Sequence, residues 1–175
     1  YVDYFVLNVS CPNVSNFTKL QDVAFLRELL PKLKSFNNSQ SKAKPILIKI
    51  SPDLSFEQLD ETIALIIDEK LDGIIATNTT TSRNNLITSP SEVTQIGNGG
   101  LSGKPVKNRS NEVIEYISKK TNKKLPIIGV GGIMTAEDAV DKLNAGADLV
   151  QIYTGFIYSG PSLIKKINQK IIRNS

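Results

Sequence analysis

Pro126-Ile-Ile-Gly-Val-Gly-Gly132, followed by Thr135-Ala-Glu-Asp138 and then by Leu149-Val-Gln-Ile-Tyr153, reads as a strand, a capped helix and a second strand. Ile127 to Val130 and Leu149 to Tyr153 are short and rich in β-branched residues, as suits parallel strands covered on both faces. Thr135 stands where a helix N-cap is needed, with Asp138 three residues on, and Gly146 marks the expected stop. A strand, a crossover helix and another strand make one βαβ unit.

Working outward, three more runs of the same kind precede this unit: Val2 to Leu7, Ile46 to Ile50 and Gly73 to Ala76. Helical patterns lie between them. Asp22 to Lys34 puts Val23, Leu26, Leu30 and Leu33 on one stripe, and Ser55-Phe-Glu-Gln58 is a capping box before a helix expected to turn Leu59, Ile63 and Ile67 inward. Ser110 is read as the cap of a helix carrying Val113, Ile114 and Ile117. Gly160-Pro161-Ser162 opens a last helix with Ile164, Ile167 and Ile171 on one stripe. Ser35 to Lys44 is a polar loop, and Asn78 to Lys104 a long polar segment without clear periodicity, of the kind that serves function or stays unstructured.

Strict alternation of strand and helix leaves two architectures, the doubly wound sheet and the closed (β/α)8 TIM barrel. A barrel takes around 250 residues and eight units. Residues 1–175 are therefore expected to be the C-terminal portion of a single barrel domain, with five βα units present and about three N-terminal units missing.

The chain has 175 residues, of which 40% are hydrophobic and 22% charged, and its mean hydropathy is −0.12. That is the profile of a globular domain with a core, not of a disordered or fibrous chain. No apolar run reaches the roughly 18 residues of a spanning helix. The net charge of +4 comes from dispersed lysines. The group Lys119, Lys120, Lys123 and Lys124 lacks the aromatic or arginine platforms of a nucleic-acid surface and reads as a solvated helix face. Histidine is absent and Cys11 is the single cysteine, so no imidazole base, histidine metal ligand or internal disulfide is available. Any acid–base chemistry falls to a thiol, hydroxyl, amine or carboxylate.

Polar and glycine-rich residues collect where each strand should end, on the face where barrel enzymes carry their sites. These endings are Asn8-Val-Ser-Cys-Pro-Asn13, Lys49, Thr77-Asn78-Thr79-Thr80, Gly129-Val-Gly-Gly132 and Tyr153-Thr154-Gly155. Gly131, Gly132 and Gly155 would let backbone amides approach a phosphate closely, helped by a helix N-terminus. The same glycines also suit a tight βα turn. The spacing at Gly129 to Gly132 is not that of a dinucleotide-binding fingerprint. Lys49, at a strand end in the barrel mouth, is placed to meet an anion. Cys11 follows a strand in a polar loop, where it is either a small buried residue or a reactive thiol. Gly99-Gly-Leu-Ser-Gly-Lys-Pro105 reads as an ordered turn against a ligand.

Taken in order, Asn8-Val-Ser-Cys-Pro-Asn13, Ile48-Lys-Ile-Ser-Pro-Asp-Leu54, Asp72-Gly-Ile-Ile-Ala-Thr-Asn-Thr-Thr80, Gly99-Gly-Leu-Ser-Gly-Lys-Pro105, Pro126-Ile-Ile-Gly-Val-Gly-Gly-Ile133 and Gln151-Ile-Tyr-Thr-Gly-Phe156 resemble the dihydroorotate dehydrogenase family across essentially the whole chain. The resemblance implies an FMN-dependent oxidoreductase that converts dihydroorotate to orotate in pyrimidine synthesis. It also implies FMN contacts from Asn8, Lys49, Thr77, Gly103, Gly131, Gly132, Tyr153 and Thr154, the glycine pair and the last two around the phosphate. Asn8, Asn13, Asn78 and Thr79 would hold the pyrimidine. Cys11 falls on the position of the catalytic base, which removes the C5 proton while hydride leaves C6 for the flavin N5, and Lys49 would offset charge on the reduced flavin.

The Asn-Thr-Thr, Gly-Gly-Leu-Ser-Gly and Tyr-Thr-Gly-Phe-Ile-Tyr-Ser-Gly-Pro segments resemble the quinone-linked class, peripheral on the inner (cytoplasmic) membrane. Cysteine at position 11 is the habit of the soluble classes, which reduce fumarate or nicotinamide, and Val14-Ser-Asn-Phe-Thr18 lacks the Thr-Pro-Gly-Leu-Arg run usual in the quinone class. The expectation is a quinone acceptor. Competing readings are another FMN barrel, such as a dihydrouridine synthase, and a non-catalytic fragment.

Overall fold

The computed structural model describes residues 1–9, 23–84 and 86–174. Its frame is a parallel sheet of five strands, β1 (Phe5–Asn8), β2 (Ile46–Ile50), β3 (Gly73–Ala76), β4 (Ile127–Val130) and β5 (Leu149–Gln151), lying side by side in the order β1-β2-β3-β4-β5. A doubly wound sheet reverses its strand order part-way. This one advances by one strand at every crossover, which is the winding of a (β/α)8 barrel, and the sheet matches part of one.

Helices fill the crossovers, α1 (Val23–Asn38), α2 (Phe56–Asp68), α3 (Pro90–Ile96), α4 (Lys107–Lys120) and α5 (Ala136–Asn144), with a 3-10 turn at Lys104–Val106 before α4, and α6 (Thr154–Ser159) and α7 (Ser162–Asn174) follow β5. Capping boxes open α2 at Ser55, α3 at Ser89 and α5 at Thr135. Each such cap satisfies first-turn amides that have no partner inside the helix, an effect of about 1 kcal/mol. No helix among the described residues is long and apolar enough to cross a membrane.

Alternation along the strands separates two faces. Ile46, Ile48, Ile50, Ile74 and Ile127 point to the helices and join Leu26, Leu30, Leu59, Ile63, Ile66, Val113, Ile114 and Ile117 in the main core. Leu47, Ile75, Ile128 and Val130 form a separate cluster on the opposite face. Lys49 and Thr77 follow Leu47 and Ile75 by two residues, so they continue that inner face at the strand ends. Gly129 points outward, where a Cβ would stand 2.9 Å from Ala147 Cβ and 3.1 Å from Lys142 Cδ, and its bare backbone lets α5 and the turn after it settle on β4. The opposite ends of two strands are tied alike: Asp72 accepts the Ile46 amide and Asp148 the Ile127 amide, each at 2.8 Å.

Several expectations need correction. β1 begins at Phe5, not Val2, and β5 ends at Gln151, not Tyr153. α1 runs on past Lys34 to Asn38. Ile67 is 60% exposed and Ile66 takes its place inside, because Leu59, Ile63 and Ile66 share one face at a spacing of four and three. Ser110 does not cap α4. It lies buried within the helix and donates to the Val130 carbonyl at 2.7 Å. In α7 the buried positions are Leu163 and Ile167, while Ile164 turns outward. The segment from Asn78 to Lys104 contains α3, whose Ser89-Pro90-Ser91-Glu92 start carries the N-cap serine, the first-turn proline and the glutamate of a capping box.

Candidate functional site

The strand ends open on a cleft of about 260 Å³. Lys49, Thr77, Asn78, Thr79, Gly103, Gly131, Gly132, Tyr153 and Thr154 all line it. These residues come from four strand ends and one loop, spread over more than a hundred positions of sequence. Asn8 reaches the same region through its side-chain oxygen, which accepts from Asn78 Nδ2 at 3.3 Å. Cys11 and Asn13 lie outside the described residues.

Backbone geometry beyond the sheet sets the positions on the β3 side. The Thr77 amide donates to the Val130 carbonyl at 2.8 Å and the Asn78 amide to the Ile50 carbonyl at 2.7 Å, so the chain leaving β3 is held by both neighbouring strands. Thr80 and Leu101 then exchange two backbone hydrogen bonds, 3.0 and 2.8 Å long, which closes the long segment at its base. Two charged residues shape it. Asp53 accepts the Thr80 hydroxyl, the Thr81 amide and the Thr81 hydroxyl, and Arg83 donates to the carbonyls of Thr80, Thr81 and Gly99. Neither stood out in the sequence, since a loop aspartate or arginine gives no signal until its partners are folded beside it.

On the β4 and β5 side the wall is made of turns. Gly131 and Gly132 have φ of +114° and +74°, a region that glycine enters without strain. A Cβ on Gly155 would lie 2.1 Å from the Ile133 carbonyl oxygen, so only glycine lets α6 seat against this turn. Thr154 Oγ1 donates to Ser102 Oγ at 2.9 Å and ties α6 to the Gly99–Pro105 turn.

Charge in the cleft comes from Lys49, which is half-buried, and burial lowers its pKa from the usual lysine value. Such an ammonium is best stabilised by a ligand carrying negative charge. Gln151 also lines the cleft, and its Oε1 is buried without a hydrogen-bond partner among the described residues. Buried acceptors are seldom left unpaired in native proteins. Its signal was present in the alternation of β5, two residues beyond the inward Leu149, yet an amide within an apolar run reads as ordinary strand.

A model of the family described as dihydroorotate dehydrogenase matches residues 1–174. The chain belongs to this family. Among its relatives, the dihydroorotate dehydrogenase (quinone) of Christiangramia forsetii is 56% identical over 172 residues, covering 98% of this chain and 49% of that protein. The corresponding protein of Crocosphaera subtropica is 50% identical over 175 residues, 98% of this chain and 45% of its own length. Two solved structures of the dihydroorotate dehydrogenase of Eimeria tenella, one with ferulenol and one ligand-free, superpose with TM-scores of 0.88 and 0.90 at 31% identity. They cover 98% of this chain and 50% and 51% of theirs. The chain thus spans about half the length of the dihydroorotate dehydrogenases it matches.

Proposed function

We propose that the intact protein oxidises dihydroorotate to orotate with bound FMN and passes the electrons to a quinone. The observation that carries this reading is the meeting, in one cleft of a chain of this family, of Lys49, the Thr77–Thr79 ending, the Gly131–Gly132 turn and the start of α6.

FMN fits the residues present. The Gly131–Gly132 turn and the start of α6 line the cleft, where backbone amides of this kind would meet a phosphate. The half-buried Lys49 suits an anionic ring system, and the orphaned Gln151 oxygen suits an N–H donor. Under this reading Gly131, Gly132, Tyr153 and Thr154 hold the phosphate, while Asn8, Lys49, Thr77 and Gly103 flank the rest of the cofactor. Bound FMN supplies the acceptor for the hydride that leaves C6 of the substrate. Asn8, Asn13, Asn78 and Thr79 orient the pyrimidine by its amide and carbonyl groups, and the Cys11 thiolate takes the C5 proton.

The quinone assignment draws on the relatives, which carry that acceptor in their names. It would bring the intact protein to a membrane surface. Steady-state rates with a short-chain quinone, fumarate and a nicotinamide dinucleotide test it. The quinone is expected to be much the fastest, and fumarate as the best acceptor would assign the protein to the soluble kind that Cys11 resembles.

A further inference from the structure

Lys107 opens α4, and its Nζ stands 2.5 Å from Asp138 Oδ1 and 2.8 Å from Asp141 Oδ2, both on α5. The other Asp138 oxygen accepts the amides of Met134 and Thr135 at 2.9 Å each. Between these contacts lies the glycine turn itself. A Cβ on Gly132 would fall 2.5 Å from Lys107 Cα and 2.7 Å from its nitrogen, so the turn rests directly on the Lys107 backbone. The Ser102–Gly103 wall leads into Lys107 through the 3-10 turn. One ion cluster thus fixes the relative position of the Gly131–Ile133 turn, the Ser102–Gly103 wall and the start of α5.

We propose that Lys107 and Asp138 are positioning residues for the phosphate end of the bound ligand, holding the Gly131–Ile133 turn in place and keeping two carboxylates from acting on the phosphate as uncompensated charge. The inference rests on the reading of that turn as the phosphate cradle. The Lys107 and Asp138 side chains are 27% and 13% exposed, so their fields are screened less than those of surface pairs. Hydrogen bonds to Asp138 and then Asp141 raise the Lys107 pKa. Burial alone would raise that of Asp138, but the bonds from Lys107, Met134 and Thr135 outweigh it and leave the carboxyl below its usual range. Lys142 also feels Asp138 and Asp141 and, with Lys107, leaves the cluster neutral; without Lys107 it carries one net negative charge behind the turn read as the cradle of a doubly charged phosphate.

The consequence is selective for phosphate, which separates it from a general structural role. In the intact protein stripped of flavin, titrations with FMN and with riboflavin give the preference for the phosphorylated form. Lys107→Gln is expected to weaken FMN by about tenfold or more while riboflavin changes by less than about threefold, and Lys107→Arg to keep the wild-type preference. The double variant Lys107→Gln/Asp138→Asn removes the stranded carboxylate, covers the case in which the single variant does not fold, and should also show a preference smaller than the wild type's. Equal losses for both flavins, or an unchanged preference in either variant, would overturn the proposal. A wild type that binds riboflavin as tightly as FMN would instead defeat the phosphate-cradle reading beneath it.

Discussion

The Asn78 side-chain amide donates to the Asn8 side-chain oxygen at 3.3 Å, a bond between the ends of β3 and β1 that passes over the end of β2. Lys49 is the register partner of Asn8 on the intervening strand. Two amides and an ammonium therefore occupy neighbouring strand ends, an arrangement suited to a flat ligand that carries both N–H and carbonyl groups.

Asn78→Ala removes one of these amides and its bond to the other. Loss of one hydrogen bond of net about 0.5–1.5 kcal/mol to the substrate corresponds to roughly a two- to tenfold rise in KM for dihydroorotate, with flavin content unchanged. Steady-state kinetics on flavin-saturated protein would reveal it. An unaltered KM would remove Asn78 from the substrate site.

Lys142 is fully buried in α5, and its Nζ donates to Asn111 Oδ1 at 2.6 Å. Burial first, and then the Lys107 cation, pull its pKa down to about 8 against the opposing pull of Asp138 and Asp141. The unfolded chain then binds more protons than the folded one between about pH 8 and the ordinary lysine value. The contribution of Lys142 to stability accordingly rises with pH across that window, by an amount on the order of 3 kcal/mol. Lys142→Met should lose this rise. Denaturant unfolding at pH 7.5 and pH 10 measures the difference, and an identical pH dependence in the two proteins would contradict the assignment.

Asp53 holds the segment beyond β3 through the Thr80 and Thr81 hydroxyls and the Thr81 amide. Hydrogen bonds to a charged acceptor contribute roughly 1.5–3 kcal/mol. In Asp53→Ala the Thr80 and Leu101 amides, which pair with each other's carbonyls, should exchange hydrogen at least about tenfold faster. Unchanged protection would mean that Arg83 alone keeps the segment folded.

Much of this architecture was legible in the sequence because β-branched runs and capping boxes are local signals. Ile46 to Ile50 and Gly73 to Ala76 form strands over the bounds their composition suggests, and Ser55 and Thr135 cap the helices that follow them. The residues that line the cleft were legible for a different reason: strand-end polarity is a local property even though the cleft is not. What escaped depends on partners distant in sequence. Ser110 looks like a cap until the Val130 carbonyl is found beside it, and Ile66 and Ile67 are interchangeable until the sheet chooses one face of α2. Asp53 takes its role from Thr80 and Thr81 of another loop, Arg83 from Gly99 at the far end of its own segment, and the Lys107–Asp138 pair from two separate helices.

Cys11 is expected to be the base for flavin reduction. An unperturbed thiol of pKa about 8.5 is only a few per cent thiolate at neutral pH, so the reduction rate should climb with pH to a plateau. Cys11→Ala should slow that step by about a hundredfold or more without loss of FMN. Cys11→Ser should move the half-maximal rate to higher pH, because a hydroxyl is the weaker acid. An undiminished rate in Cys11→Ala would require another base.

On this reading the cleft at the strand ends brings FMN and dihydroorotate together. Anaerobic mixing of the purified intact protein with dihydroorotate in a stopped-flow spectrometer tests it most directly. Bleaching of the flavin band, with one orotate formed for each flavin reduced, is the predicted result; protein without flavin, or a flavin band that dihydroorotate leaves untouched, would contradict it.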